Sequence, residues 1–306
     1  MRALVTGVGG FVGAHLAARL AGDGWDVVGT ARPGSPPWRL EAMGVAGEVE
    51  VVEADLSDRD ATTAAARAAA PDVAFLVAAS RAAATADERA ATGAVNGSSG
   101  MWLVDALPDG CRAVVRLGSS TEYGEAAAPM DEESPVRPRG FFGATKAAGS
   151  MLTVAAAHRR GMRSTVVRAF QVYGPLDHPG RLVPSALRAA RTGGPLPLTG
   201  PGLRRDWVYV DDVVEACVRV AGADHLAPGQ VLNVGTGRQV ANEELVAEVE
   251  RVTGRPVRVV VGGHEGRTWD AASWVCDPSL ARTLLGWVAK VDLADGLARC
   301  WASEPR

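Results

Sequence analysis

Leu4-Val5-Thr6-Gly7-Val8-Gly9-Gly10-Phe11-Val12-Gly13 decides the fold, because three spaced glycines separate an apolar run from an alanine-rich segment. Gly7 permits a tight turn, Gly10 lets backbone amides approach a pyrophosphate, and Gly13 allows a helix to pack closely on a strand. The N-terminus of that helix favours the negative charge of phosphate groups. The stretch therefore predicts a dinucleotide-binding turn. Its cofactor contacts are expected at Gly7, Gly9, Gly10, Phe11 and Val12.

The pattern around this turn repeats along the chain. Short apolar runs alternate with helix-periodic, alanine-rich stretches, which is typical of βαβ units in a parallel sheet covered on both faces. Strands are predicted at 3–6, 26–30, 49–53, 73–78, 113–117 and 163–169, and helices at 11–21, 59–70, 97–106 and 141–158. We predict an α/β fold: a doubly wound, parallel Rossmann sheet with a smaller, interleaved C-terminal α/β lobe for the substrate. The predicted Rossmann domain covers 1–172 with a contribution from 206–238, and the lobe covers 173–205 and 239–306.

The residues after the second predicted strand bear on which dinucleotide binds. An NAD site carries an acidic residue there, whereas this chain has Thr30-Ala31-Arg32. An arginine can pair with a 2′-phosphate, and no carboxylate is present to repel it. The sequence therefore predicts NADP over NAD, with a solvated loop residue as the alternative role of Arg32. Further cofactor contacts are expected at Asp55, Leu56 and Ala78, although Asp55 equally suits the N-terminal cap of a helix.

Composition and charge narrow the classes of function. The 306 residues are 47% hydrophobic and 22% charged, as in a globular protein with room for a large domain and a smaller lobe. A net charge of −3 lacks the basic surface of a nucleic-acid binder. The four cysteines are far apart with no CxxC pair, so neither disulfides nor a metal site is predicted. The first residues lack a signal-peptide core, so we expect a cytoplasmic protein without a membrane segment.

Seven stretches, in one order along nearly the whole chain, carry a resemblance to a known family. They are TGVGGFVG (6–13), LGSSTEYG (117–124), FFGATK (141–146), RAFQVYGP (168–175), RRDWVYVDDVV (204–214), NVGTG (233–237) and LLGW (284–287). In these stretches the chain resembles the NAD-dependent epimerase/dehydratase family, the extended short-chain dehydrogenases that act on nucleotide-sugars. The resemblance implies a Rossmann core, a lobe that binds a nucleotide-diphosphate sugar, redox chemistry at a sugar carbon, and a homodimer.

The resemblance also implies the catalytic residues. In the family a Ser or Thr orients the sugar oxygen, a Tyr exchanges a proton with it, and a Lys one helical turn after the Tyr lowers the pKa of that Tyr. The matching positions are Ser119, with Ser120 as the alternative hydroxyl, and Lys146, which is also expected at the nicotinamide ribose. The tyrosine position holds Phe142, which has no ionisable oxygen.

Phe142 leaves three explanations open. The chain is an engineered Tyr-to-Phe variant, a natural enzyme with another proton carrier, or a protein that binds without turnover. The three tyrosines, Tyr123, Tyr173 and Tyr209, lie inside family motifs with packing or cofactor roles of their own, so none of them is favoured as a substitute.

The substrate contacts follow from the same resemblance. Arg205 and Arg267 match family arginines that grip the substrate diphosphate, a task that suits a guanidinium group. Gln171 replaces the usual asparagine. Thr121 stands where family dehydratases carry a glutamate that removes a sugar proton, with Glu122 one place later, so a 4,6-dehydratase is disfavoured.

These features together predict an NADPH-dependent nucleotide-sugar 4-ketoreductase acting on NDP-4-keto-6-deoxyhexoses, because LGSSTEYG and Arg32 look closer to such reductases. The first alternative is a nucleotide-sugar epimerase, which oxidises and reduces the same carbon with a retained cofactor. An alternative of another class is a catalytically silent protein that binds nucleotide-sugar and NADP. Asp211 and Asp212 are expected to cap a helix at 213–220 rather than hold a metal.

Overall fold

The computed structural model describes residues 1–124, 129–199, 202–263 and 272–303. The strands of these residues are, in chain order, β1 (Arg2–Thr6), β2 (Asp26–Ala31), β3 (Val49–Glu53), β4 (Val73–Leu76), β5 (Ala113–Ser119), β6 (Arg163–Ala169), β7 (Gln171–Tyr173), β8 (Pro195–Leu198), β9 (Arg204–Arg205), β10 (Trp207–Tyr209), β11 (Gln230–Val234), β12 (Val240–Ala241) and β13 (Arg258–Val261). The helices are α1 (Phe11–Gly22), α2 (Trp38–Ala42), α3 (Arg59–Ala69), α4 (Ala86–Gly93), α5 (Ser99–Ala106), α6 (Phe141–Arg159), α7 (Leu182–Thr192), α8 (Val210–Gly222), α9 (Asn242–Thr253), α10 (Ser279–Leu285) and α11 (Leu293–Ser303).

The centre of the protein is a sheet of seven strands in the order β11-β6-β5-β4-β1-β2-β3. Every pairing in it is parallel. The chain winds outward from β1 in one direction and from β4 in the other, so the strand order reverses between these two neighbours. In such sheets the carboxyl ends of the strands at the reversal point form a crevice for ligands. The predicted α/β fold with a doubly wound parallel sheet is confirmed.

The inner strands are apolar because both of their faces are covered by helices. All four residues of β4 are buried, as are Ala3, Leu4 and Val5 of β1. β4 ends at Leu76, two residues before the predicted end. The hydroxyl of Thr6 accepts hydrogen bonds from the backbone N–H groups of Val77 and Ala78, at 2.9 and 3.1 Å, so these amides leave the strand ladder.

The start of one helix and the cap of another differ from the prediction. α4 is followed without a break by a π-helical turn (Ala94–Ser98) and by α5, so the single helix predicted at 97–106 begins earlier. Thr85 caps α4 and forms a capping box with Glu88. The cap of α3 is Asp58, which accepts the N–H of Ala61 at 2.9 Å, and Asp55 does not fill that role.

Smaller two-stranded sheets lie outside the central sheet: β7 with β10, β9 with β12, and β8 with β13. One apolar cluster joins the two parts, since it contains Val5 of β1 together with Leu196 of β8, Leu245 of α9 and Leu297 of α11. The chain therefore has a shared core. Among the described residues, no helix combines the length and apolar character needed to span a membrane.

The acidic pair at 211–212 does not act as predicted, because α8 already begins at Val210. The carboxylate of Asp212 accepts the backbone N–H groups of Lys290 and Val291, each at 3.0 Å, and its carbonyl accepts the indole N–H of Trp287 at 2.9 Å. Asp212 therefore ties the C-terminal segment to α8. The described residues contain no group of acidic, histidine or cysteine side chains that could hold a metal ion.

Candidate active site

The glycine turn between β1 and α1 has the shape that a dinucleotide phosphate group requires. Gly7 has a φ of +68°, and a Cβ atom there would lie 2.8 Å from the Cα of Ala78. A Cβ atom on Gly13 would lie only 2.2 Å from the carbonyl oxygen of Gly7. α1 begins after Gly10 without a side-chain cap, so its first N–H groups are available to an anion. These residues fit a dinucleotide.

The other predicted cofactor residues surround this turn. Ala78 lies against Gly7 and, like Val95, packs on the small cluster that contains Leu56. Arg32 follows β2 and is exposed. Asp55 accepts hydrogen bonds from the backbone N–H and hydroxyl of Ser57, at 2.9 and 2.7 Å. These bonds lower the pKa of Asp55 despite its partial burial, and the charge of nearby Arg32 lowers it further.

The predicted catalytic hydroxyl lies at the carboxyl end of β5. The Oγ atom of Ser119 is 2.8 Å from the hydroxyl of Thr121 and accepts the N–H of Thr121 at 3.2 Å. Ser119 is partly exposed, whereas Ser120 is buried. The first turn of α6 packs on this segment, because Gly143 has no Cβ that would collide with the carbonyl oxygen of Thr121 at 2.4 Å. This contact brings Phe142 to the same end of the sheet as Ser119.

Lys146 lies one turn after Phe142, buried beneath the hydroxyl segment. Its exposed fraction is 3%, and its ammonium group donates to the carbonyl of Leu117 in β5. Burial, together with the charges of Arg116 and Arg81 and against the opposing charge of Glu122, lowers the pKa of Lys146 to about 7. A lysine in this state titrates near neutrality.

Phe142 is partly exposed at the start of α6. The guanidinium of Arg81, which follows β4, stacks over its ring at 3.9 Å from the ring centroid. Position 142 therefore keeps the aromatic ring of the family's tyrosine but lacks its phenolic oxygen.

None of the three tyrosines can take over as the acid or base. The exposed fractions of Tyr123, Tyr173 and Tyr209 are 0%, 1% and 3%. The hydroxyl of Tyr123 donates to Asn233 at 2.7 Å, and burial raises its pKa to about 12. Burial also raises the pKa values of Tyr173 and Tyr209. All three rings belong to the core.

Glu122 has a structural role that the sequence did not reveal. Its side chain is fully buried and pairs with Arg168 of β6 at 2.9 Å. It also accepts hydrogen bonds from the N–H of Ser119, at 2.9 Å, and the hydroxyl of Ser150, at 3.1 Å. The carboxylate therefore faces β6 and α6 and fixes the backbone of Ser119. A charged residue in the otherwise uncharged motif LGSSTEYG was the signal for this role.

Two of the predicted substrate residues, Gln171 and Arg205, line a cavity of about 560 Å³ in the lobe, together with Trp207, α7 and β8. Thr121, also predicted to contact the substrate, does not line this cavity. Arg205 also donates to the carbonyl of Arg204 at 2.8 Å. The cavity walls combine apolar side chains of α7 and β8 with several polar and charged ones, which suits a ligand that carries charged groups. Arg267 lies outside the described residues.

Sequence reasoning missed two cations in this region. Arg116 lies in the middle of β5 and is 3% exposed, and Arg81 contacts Phe142. An arginine inside an apolar strand, AVVRLGS, is an available signal, because arginine is almost never fully buried without a specific reason.

Comparison with known proteins connects these features. Residues 3–235 match the model of the NAD dependent epimerase/dehydratase family. The chain is 33% identical over 311 residues to a UDP-glucose 4-epimerase of Mycolicibacterium smegmatis, which covers 98% of this chain and 97% of that protein. A UDP-glucose 4-epimerase from Thermotoga maritima with UDP-glucose superposes with a TM-score of 0.88 at 26% identity, over 99% of this chain and 98% of that one. MoeE5 in complex with UDP-glucuronic acid and NAD gives a TM-score of 0.85 at 28% identity, over 99% and 98%. As the sequence motifs predicted, the chain belongs to the NAD-dependent epimerase/dehydratase family of extended short-chain dehydrogenases.

Proposed function

We propose that the protein is a nucleotide-sugar 4-epimerase that acts on a UDP-sugar with a pyridine dinucleotide. The observation that carries the proposal is the end-to-end match to the M. smegmatis 4-epimerase, 98% of this chain against 97% of that protein. Such a reaction needs a dinucleotide site, catalytic side chains and a site for the sugar nucleotide. The glycine turn, Ser119 with Lys146, and the cavity of the lobe can supply these three parts.

The epimerase alternative is better supported than the predicted 4-ketoreductase. That prediction rested on LGSSTEYG and on Arg32. The glutamate of this motif is the buried partner of Arg168, so it carries no information about the sugar. A 4,6-dehydratase remains disfavoured, because Thr121 offers a hydroxyl where a proton-removing carboxylate is required.

In the proposed reaction the sugar is oxidised at C4 and then reduced on its other face. The bound dinucleotide supplies the hydride acceptor and donor. Ser119 orients the C4 oxygen through its hydroxyl, and Arg205 and Gln171 hold the nucleotide diphosphate. Because Phe142 lacks the phenol that exchanges the proton in the family, we expect slow turnover. Binding of the UDP-sugar should be retained.

The choice of dinucleotide rests on opposed observations. MoeE5 was solved with NAD, whereas Arg32 and the absence of a carboxylate at Ala31 favour NADP. An epimerase returns the hydride within one cycle and has no need to exchange its cofactor, so the proposed reaction is compatible with either. The homodimer and the cytoplasmic location remain predictions.

The test compares the unaltered chain with Phe142→Tyr in the interconversion of UDP-glucose and UDP-galactose, with NAD or NADP supplied. Phe141→Tyr is the matched control, since Phe141 is the exposed neighbour on the same helix. General acid–base catalysis contributes about 10²–10⁴-fold, so Phe142→Tyr is expected to raise kcat by at least about 100-fold, with UDP-glucose affinity unchanged. The proposal fails if UDP-glucose binds and neither form interconverts it, or if NADPH is consumed stoichiometrically with a nucleotide 4-keto-6-deoxysugar.

A further inference from the structure

Arg116 occupies a site that the fold has made for it. Its guanidinium donates to the hydroxyl of Thr153 at 3.2 Å and to the carbonyl of Asn96. Two glycines leave the space it fills: a Cβ on Gly149 would lie 2.0 Å from its Nη2 atom, and one on Gly100 would lie 2.7 Å from its Nη1 atom. The guanidinium thus lies between α5 and α6, and its charge acts on Lys146.

This cation has no ion-pair partner among the residues that the structure describes, and its Nε atom has no hydrogen-bond partner there. The nearest buried carboxylate, Glu122, is paired with Arg168. The buried cluster therefore holds three cations, Arg116, Lys146 and Arg168, against one carboxylate. Burying a charge without compensation is costly, and the group that can relieve the imbalance is the lysine, because arginine does not lose its proton.

The charged groups that face Lys146 come from each neighbouring element. Arg116 lies on β5, Arg81 follows β4, and Glu122 follows β5. The desolvation of Lys146 and the charges of the two arginines lower its pKa, whereas the charge of Glu122 raises it. A neutral amine still donates to the carbonyl of Leu117 and has a lone pair that can accept a proton.

We propose that Arg116 is a positioning residue that keeps Lys146 ready to lose its proton, and that Lys146 exchanges the proton of the sugar hydroxyl, directly or through one water, in place of the missing tyrosine. The inference rests on the proposed epimerase function. In the oxidation step the C4–H bond breaks and its hydride reduces the pyridinium ring, while the hydroxyl proton passes to the Lys146 amine. The ketone, the reduced dinucleotide and the ammonium form together, and the return step reverses each transfer.

The chain provides an unusually clean test, because Lys146 and Lys290 are its only lysines. Lysine labelled with ¹³C at the ε carbon gives two signals, and Lys290→Arg assigns them. The shift of the Lys146 signal is followed against pH in the free protein, without substrate or turnover. We expect its midpoint near 7, and Arg116→Met should raise that midpoint by about one pH unit.

Activity gives the second measurement. The ascending limb of kcat/KM against pH reports the free enzyme's essential base, so it should coincide with the Lys146 midpoint and move with it in Arg116→Met. Lys146→Met should remove turnover while UDP-glucose still binds. The inference is overturned if Lys146 titrates in the ordinary lysine range, if Arg116→Met leaves its midpoint in place, or if Lys146→Met stays active. An absence of turnover with the expected titration instead refutes the epimerase function and, with it, the proton-transfer role of Lys146.

Discussion

At the scale of single residues, we expect the side chain of Arg32 to affect the preference between NAD and NADP. Arg32 is exposed after β2, beside Asp55 and close to the glycine turn. Hydrogen bonds to charged groups contribute about 1.5–3 kcal/mol, and 1.4 kcal/mol corresponds to a factor of ten. We therefore expect Arg32→Ala to weaken NADP binding by about tenfold or more while NAD binding changes little, as measured by calorimetric titration. Arg67→Ala, an exposed arginine on α3, is the control. An equal loss for both dinucleotides would show that Arg32 has no contact specific to the 2′-phosphate.

The sequence predicted the residues whose role is local and missed those whose role depends on the assembled core. Gly7 and Gly13 were identified because their roles lie within one turn of chain: Gly7 has a φ of +68°, and a Cβ on Gly13 would collide with the carbonyl oxygen of Gly7. The pairing of Glu122 with Arg168 joins positions 46 residues apart, and it forms only when β5 and β6 are neighbours. Asp212 misled for the same reason, since its partners at 290 and 291 lie far along the chain. Charged residues at such positions look like caps or surface groups until the sheet order is known.

Among the elements, α1 shows most directly how the fold prepares the cofactor site. Gly13 and Gly22 lie on the same helix, but a Cβ on Gly13 would lie 2.2 Å from the carbonyl oxygen of Gly7, whereas one on Gly22 meets nothing within 4 Å. Because the obstacle is backbone, it cannot give way cheaply. Gly13→Ala is expected to lower the free energy of unfolding by about 1–3 kcal/mol and to abolish dinucleotide binding. Gly22→Ala should preserve binding and raise stability by up to about 1 kcal/mol. Urea unfolding measures the stability of both variants, and titration measures their dinucleotide binding. Equal stability and equal binding of the two variants would contradict the close approach of helix and strand.

The helix at the candidate active site is similarly constrained by the residues on which it packs. α6 carries Phe142 and Lys146 at its start, and Gly143 and Gly149 let it approach the segment after β5 and the guanidinium of Arg116. The sequence predicted this helix at 141–158, and α6 spans Phe141–Arg159. Its own residues contain no information about the buried cations on β5 and β6. The charged groups that shift the pKa of Lys146 thus come from strands β4 and β5 and the segments after them, and not from its own helix.

At the scale of the whole molecule, a shared core joins the dinucleotide turn to the lobe, so a charge buried inside the protein affects the stability of the entire fold. Lys146 is the clearest case. Its pKa falls from 10.5 to about 7 on folding, mainly through burial. The unfolded chain therefore binds more protons than the folded one between these values.

This difference predicts how stability depends on pH. The folded protein bears the full cost of the lysine below about pH 7, and the cost disappears as the pH rises toward 10.5. One pKa unit corresponds to 1.36 kcal/mol, so the stability of Lys146→Met relative to the unaltered chain should fall by roughly 2.7 kcal/mol from about pH 6 to about pH 9, most of it above pH 7. Urea unfolding at several pH values measures it, with Lys290→Met, at the exposed lysine, as the control whose difference should stay constant. If the difference for Lys146→Met were also constant, Lys146 would be charged throughout, and neither the buried cations nor the missing tyrosine would bear on its protonation.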